Sequence, residues 1–197
     1  MERLPIILGS ASSERLVLLK SAAIIPDEVL SVDLDESERK KEKPEHYCAR
    51  VAKEKFEAIA KIIGPKKAIV ITADTTAVAR GVLLHKANTD EEIRHYISLI
   101  SGRRHRVITA VYCGIVENNK IEILKSRVVD STISMKRMTK AEIEHFVESK
   151  DGYGKAGGYT IKGVIGRYIK RINGSFSSIL GIPLYETTQM IESLRGK

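Results

Sequence analysis

A chain of 197 residues and 21.9 kDa has room for one α/β domain, or for one domain with two lobes, and it buries enough surface to need no disulfide staple. Its two cysteines, Cys48 and Cys113, lie far apart and form no CxxC pair, which excludes a disulfide scaffold and a cysteine-built metal framework. The net charge of +8 and the pI of about 9.4 favour phosphate-bearing partners, while 43% hydrophobic and 29% charged residues mark an ordinary globular chain.

No secretory leader opens the chain and no apolar run reaches membrane-spanning length, so a cytoplasmic address without a membrane partner is expected. With no Trp, the core must rest on Ile, Val, Leu and Ala. The densest basic run is Arg39, Lys40, Lys41 and Lys43, interleaved with Glu36, Glu38, Glu42 and Glu45. Mixed signs of this kind read as an exposed loop or helix edge, and no aromatic residues stand among them to stack bases, so nucleic acid is not the expected partner.

In chain order, residues 5–9 read as a short buried strand, and Ser10, Ser12 and Ser13 can cap a helix carrying Leu16, Leu18, Leu19 and Ala22. A strand near 28–33 follows. Helical spacing over 45–63 places Tyr47, Val51, Phe56, Ile59 and Ile63 on one side, and Gly64-Pro65 ends it. Residues 68–72 are a continuous apolar run, the pattern of a central strand, with Asp74 expected at its carboxyl end. A short strand at 82–85 and a Thr89-capped helix over 90–100 come next. Long β-rich runs at 105–117 and 121–135 are joined by Asn118-Asn119 as a hairpin. Thr139 and Glu142 form a capping box for a helix over 140–149. A glycine-rich stretch, a strand near 167–172, a turn at Asn173-Gly174 and a helix over 184–195 complete the chain. Helices between the early strands and a hairpin in the middle predict a mixed sheet.

Four places carry candidate chemistry. In the turn Leu8–Arg15, backbone N–H groups at a helix start suit a phosphate, Ser10 and Ser12 can add hydroxyl donors, and Arg15 a bidentate fork. Plain serine capping explains the same residues equally well, and the spacing is not that of a P-loop. Asp74 can hold a divalent metal or orient a water, or it can be a turn aspartate. Lys55, Lys86 and Lys155 can neutralise phosphates, though any single Lys is more often a solvated surface residue. His105 reads as a satisfied strand histidine rather than a phosphate contact. In Gly154–Gly163 the glycines allow close backbone approach to a ligand or simply make a turn.

These pieces, in this order, resemble the Maf family of nucleotide pyrophosphatases over roughly residues 6–190. SASSER at 10–15 stands where that family has SxSPRR, Asp35-Glu36 where it has DE, and VAKEKF at 51–56 where it has LAxxKA. The stretch ADTTAVARGVLLHKA at 73–87 is similar to ADT followed by a glycine and KP, and SGRRHRVIT at 101–109 to SGxxHxVxT. GKAGGYTIKG at 154–163 and INGSFSSILGIPL at 172–184 resemble DKAGxYxIQG and IxGSYxxVxGLPL.

The resemblance implies an α/β fold of the inosine-triphosphatase-like type: a mixed twisted sheet with flanking helices and a deep cleft, one Maf-like domain over 1–197 with two lobes, often a homodimer. It implies a nucleoside triphosphate substrate split to the monophosphate and pyrophosphate with Mg²⁺ or Mn²⁺, in clearance of non-canonical nucleotides. Carried over residue by residue, Asp74 and Glu36 are the catalytic and metal-holding carboxylates. Ser10, Ser12, Arg15, Lys55 and Lys86 fall where the family binds phosphates, and Thr75, Lys155 and Lys162 join the substrate contacts. Thr75 and the Lys155-Ala156-Gly157-x-Tyr159 pattern resemble the branch that prefers dTTP and UTP. The chain departs from the family at Ser13-Glu14, Ala87, Gly154 and Lys162. Those departures keep a second expectation open: a nucleotide- or nucleic-acid-binding regulator of cell division with little turnover.

Overall fold

A computed structural model describes residues 3–196. In chain order the elements are β1 (Ile6–Gly9), α1 (Ser13–Ser21), β2 (Glu28–Leu30), α2 (Pro44–Ala60), β3 (Lys67–Ala79), β4 (Val82–Leu84) and α3 (Asp90–Ile100). Then follow β5 (Arg104–Glu117), β6 (Lys120–Met135), α4 (Lys140–Glu148), a 3-10 turn (Val164–Tyr168), β7 (Ile169–Asn173), α5 (Phe176–Ile179) and α6 (Leu184–Arg195). The seven strands make one mixed sheet in the order β2-β1-β3-β5-β6-β7, with β4 paired to β3. The expected mixed α/β class with flanking helices is the one observed. Chain contacts group the residues into two compact units, the first comprising 1–74, 109–129 and 181–197 and the second 75–108 and 130–180.

In the first unit β1 pairs in parallel with both β2 and β3, Ile7 facing Glu28 on one side and Val70 on the other. α2 begins with Pro44 in its first turn, where the missing N–H costs nothing. Its buried side carries Tyr47, Cys48, Val51, Ala52, Phe56, Ile59 and Ala60, the 3.6-residue spacing legible in the sequence. Phe56, Ile59, Ala60 and Ile63 pack with Ile7, Ala68, Val70 and Val116 in one core.

In the second unit β3 turns back antiparallel into β4, Ala77 facing Leu84, and β6 pairs antiparallel with β7. Both long helices of this unit start with a full capping box: Thr89 with Glu92 on α3, and Thr139 with Glu142 on α4. Arg94 on α3 grips Glu144 on α4 with two N–H donors at 2.7 and 2.8 Å. Back in the first unit, the turn Asn118-Asn119 that joins β5 to β6 holds both residues at positive φ, 50° and 62°, a conformation asparagine tolerates better than most.

One expectation is corrected. Asp74 does not end its strand: β3 runs from 67 to 79, so Asp74 sits in its interior. The reason is in the next residues. Thr75, Thr76 and Val78 are β-branched and suit a pleated surface, and residues 77–79 gain β4 as a partner. The strand near 167–172 likewise begins later, at Ile169, because 164–168 wind into a 3-10 turn.

Candidate active site

Asp74 is 6% exposed, a carboxylate in the buried middle of β3. A buried carboxylate needs a partner, and Lys55 supplies it: Nζ donates to Asp74 Oδ1 at 2.9 Å. The same ammonium lies 2.8 Å from Glu36 Oε1. One cation from α2 thus joins one carboxylate from the sheet to one from the loop that precedes α2. The solvated-surface reading fails for Lys55, whose side chain keeps only 14% of its exposure.

Spacing on α2 explains how Lys55 is aimed. Cys48, Ala52 and Lys55 are four and three residues apart, hence on one helix face. That face is fastened to β3 at two points above Lys55. Thr72 Oγ1 donates to the Ala52 carbonyl at 2.8 Å, and Cys48 Sγ donates to the Asp74 carbonyl at 3.2 Å. Burial, with the Asp74 charge beside it, pushes the Cys48 thiol up, so it stays protonated and can donate. Cys48 and Cys113 are both buried and neither is in a disulfide.

Glu36 is placed by a second device. Arg50, also on α2, donates through Nε and Nη2 to the two oxygens of Glu42, at 2.7 and 2.8 Å, and through Nη2 to the Ser37 carbonyl at 3.0 Å. The charged-looking segment after Glu36 is therefore pinned to the helix by a bidentate fork. The Arg50 hydrogen bonds hold the Glu42 carboxyl at about 2, well below the ordinary carboxylate range. Arg50→Ala is expected to lower stability by about 2 kcal/mol in urea unfolding. Arg50→Lys should restore only part of that, because a single ammonium cannot match both oxygens at once. A full restoration would contradict the fork.

The turn after β1 shows the expected cap. Ser12 is the N-cap of α1, its Oγ accepting from Arg15 N at 3.4 Å. Ser10 is buried, and its Oγ accepts from Ser12 N at 3.2 Å and from Arg15 Nη1 at 3.0 Å. A hydroxyl that accepts twice still has its own proton to donate. Arg15 Nε donates to the Gly181 carbonyl at 2.8 Å, which anchors the guanidinium at the GIPL turn. Burial lowers the Arg15 pKa, opposed chiefly by the charge of Asp74. The fork thus stands in the field of the carboxylate pair.

The second unit holds the remaining predicted residues. Thr75 is half-buried on β3, Lys86 and Lys162 are exposed, and Lys155 is half-buried. Lys86 and Lys155 are brought side by side: Lys86 bridges to Ala156, and Ala87 N donates to the Lys155 carbonyl at 3.3 Å. Gly157 lets this turn lie on β3, since a Cβ there would stand 2.9 Å from that of Ala77. His105 is 3% exposed, with Nε2 2.5 Å from the Tyr159 hydroxyl. The strand-histidine reading holds, although only half satisfied, because Nδ1 has no partner among the described residues.

Burial pulls His105 down from 6.5 to about 4. The unfolded chain therefore binds a proton before the folded one does. Stability from this group is full above pH 6.5 and falls as pH drops toward 4, by about 3 kcal/mol. Chemical unfolding across that range should show the slope in the parent and lose it in His105→Gln. A slope that survives the substitution would contradict the assignment.

Among the described residues no cluster of three or more His, Cys, Asp or Glu is poised to hold a metal. The pair of Glu36 and Asp74 still suits a hard cation, because Mg²⁺ is commonly held by one or two carboxylates, with waters and substrate phosphates filling the rest. That both oxygens already share one ammonium shows that they face a common point.

Three residues that set this geometry were not singled out as site residues in the sequence: Cys48, Arg50 and Thr72. Helical spacing from Lys55 would have found Cys48. Thr72 acts through a backbone carbonyl, which leaves no mark in sequence, and Arg50 acts through the Glu42 carboxylate eight residues back, a pairing that the mixed-charge run does not single out.

The family described as Maf-like protein matches residues 5–194. A nucleoside triphosphate pyrophosphatase of Orientia tsutsugamushi is 39% identical over 98% of this chain and 94% of its own length. A dTTP/UTP pyrophosphatase of Hyphomonas neptunium is 41% identical over 96% of this chain and 95% of its own length. A solved structure described as a HAM1 protein from Coxiella burnetii is 16% identical, covering 77% of this chain and 79% of that one with a TM-score of 0.47, a likeness too slight to argue from. On the family match and the near-complete coverage by these relatives, the chain belongs to the Maf family.

Proposed function

We propose that this chain is a metal-dependent nucleoside triphosphate pyrophosphatase acting on pyrimidine triphosphates of the dTTP and UTP type, with its reacting centre at Asp74. The chain is a hydrolase of phosphoric anhydrides in nucleotides. The observation that carries the site is the shared ammonium: Lys55 holds Asp74 and Glu36 together in a largely buried setting, at 2.9 and 2.8 Å. The relatives' names support the substrate class, and one of them names dTTP and UTP.

Attack of water on the α-phosphorus builds negative charge on phosphate oxygens, and fixed donors aimed at that charge lower the barrier. Arg15, the α1 N-terminus and the hydroxyls of Ser10 and Ser12 are such donors. Asp74 spends Oδ1 on Lys55, which leaves Oδ2 to orient the water and take its proton. Lys55 holds the carboxylate in place from the other oxygen. Glu36 and Asp74 are the residues that would hold Mg²⁺ or Mn²⁺, which when bound offsets phosphate charge and makes water more acidic. Lys86, Lys155, Lys162 and Thr75 are carried into this proposal as substrate contacts on the family resemblance.

The test is a panel of nucleoside triphosphates with Mg²⁺ or Mn²⁺ and a pyrophosphate readout. Pyrophosphate release fastest from dTTP and UTP is expected. Release fastest from purine triphosphates would overturn the base preference, and no release from any of them would favour the binding regulator.

A further inference from the structure

An open cavity of about 460 Å³ lies wholly in the second unit, lined by Lys136, Ala141, Glu142, His145, Arg167 and Tyr168. None of these residues belongs to the Asp74 constellation. Lys136 and Arg167 are cationic, His145 adds ring nitrogens, and Glu142 is the one acid. Both Glu142 oxygens are already engaged: Oε1 accepts from Lys136, and Oε2 accepts from Thr139 N at 2.8 Å in the capping box. Arg167 is exposed and has no carboxylate partner among the described residues. Its guanidinium instead lies 5.7 Å from the Tyr168 ring centre, and Lys136 Nζ lies 5.7 Å from the same ring. The ring is 6% exposed. A fixed aromatic wall thus holds two cations at one cavity, and the fork of Arg167 keeps its N–H donors for something outside the chain.

The wider charge points the same way. The second unit carries 15 Lys and Arg against 8 Asp and Glu, so seven of the chain's eight net positive charges fall there. Arg137, Lys140 and Lys170, next to the wall residues in sequence, are exposed. Such a field concentrates anions. An unpaired arginine fork is suited to phosphate oxygens, which it can grip with two parallel N–H bonds.

We propose that this cavity is a second phosphoanion site, binding the phosphate groups of a nucleotide or of free pyrophosphate through Arg167, Lys136 and His145. The proposal is independent of where hydrolysis occurs. Pyrophosphate and nucleotides offer the same oxyanion chemistry, so the experiment separates them.

The test is amide-resolved NMR of the full chain without divalent metal, titrated in turn with inorganic pyrophosphate, with a nucleoside monophosphate and with a single-stranded oligonucleotide. Saturable shifts at residues 136–145 and 165–169 are expected with at least one of the first two, and the stronger of them names the source. Arg167→Ala should weaken that binding at least about 10-fold, and Lys136→Gln should weaken it too. Both variants should keep the parent spectrum elsewhere and the parent rate of triphosphate hydrolysis. Binding unchanged by either variant, shifts absent from the cavity with both small anions, or a response to the oligonucleotide alone would overturn the proposal. Hydrolysis serves as the separate readout of the Asp74 site, so failure of one reading leaves the other standing.

Discussion

Asp74→Asn should fold and bind yet hydrolyse triphosphates about 10³-fold more slowly. Asparagine keeps the shape and an acceptor oxygen for Lys55 Nζ, which sits 2.9 Å from Asp74 Oδ1. It loses the negative charge and the ability to take a proton, and general-base assistance is commonly worth 10²–10⁴-fold. The substitution does not orphan Lys55, because Glu36 remains 2.8 Å from the same ammonium. Folding should therefore suffer little, about 1 kcal/mol. Turnover within a few-fold of the parent in a folded Asp74→Asn protein would end the assignment. Measured beside it, Glu36→Gln should raise the metal concentration needed for half-maximal rate.

Phe56→Ala should cost about 3–5 kcal/mol of stability, the range for removing a fully buried aromatic ring. That is a large share of the roughly 5–15 kcal/mol that holds a domain together. Phe56 is 0% exposed and packs with Ile7, Ile59, Ile63, Val70 and Val116. Its ring also fills the space over Gly114, where a Cβ would lie 2.7 Å from Phe56 Cζ. The ring anchors α2 one residue from Lys55, so the loss should appear as a lower urea midpoint and earlier heat inactivation. A change below about 1 kcal/mol would mean that the surrounding residues collapse into the gap, contrary to the tight contact at Gly114.

Much of this was legible beforehand because local chemistry decided it. The apolar spacing of α2, the Thr139 and Glu142 box and the Asn118-Asn119 turn each announce an element through nearby residues, and the structure has all three. The continuation of β3 through Asp74 was not legible, because the strand is extended by pairing with β4, a contact that periodicity at 68–72 does not contain. Asp74 by position alone was as good a turn residue as a catalytic one. What sets it apart from a turn residue is its place inside β3 against Lys55, nineteen residues away on another element. Gly114 shows the same limit: it must be glycine because Ile123 O would lie 2.3 Å from a Cβ, a constraint set across the sheet. The loop at 36–43 looked like solvated mixed charge, yet Arg50 and Glu42 are 12% and 9% exposed, since their mutual pairing lets them be covered.

The most direct measurement follows the oxygen of the attacking water. Hydrolysis of dTTP in ¹⁸O-labelled water with Mg²⁺ or Mn²⁺ should place one labelled oxygen in the nucleoside monophosphate and leave the released pyrophosphate unlabelled, and Asp74→Asn should slow that labelling in step with turnover. Label in the pyrophosphate, or release of orthophosphate in its place, would contradict attack at the α-phosphorus and the account of Asp74 built on it.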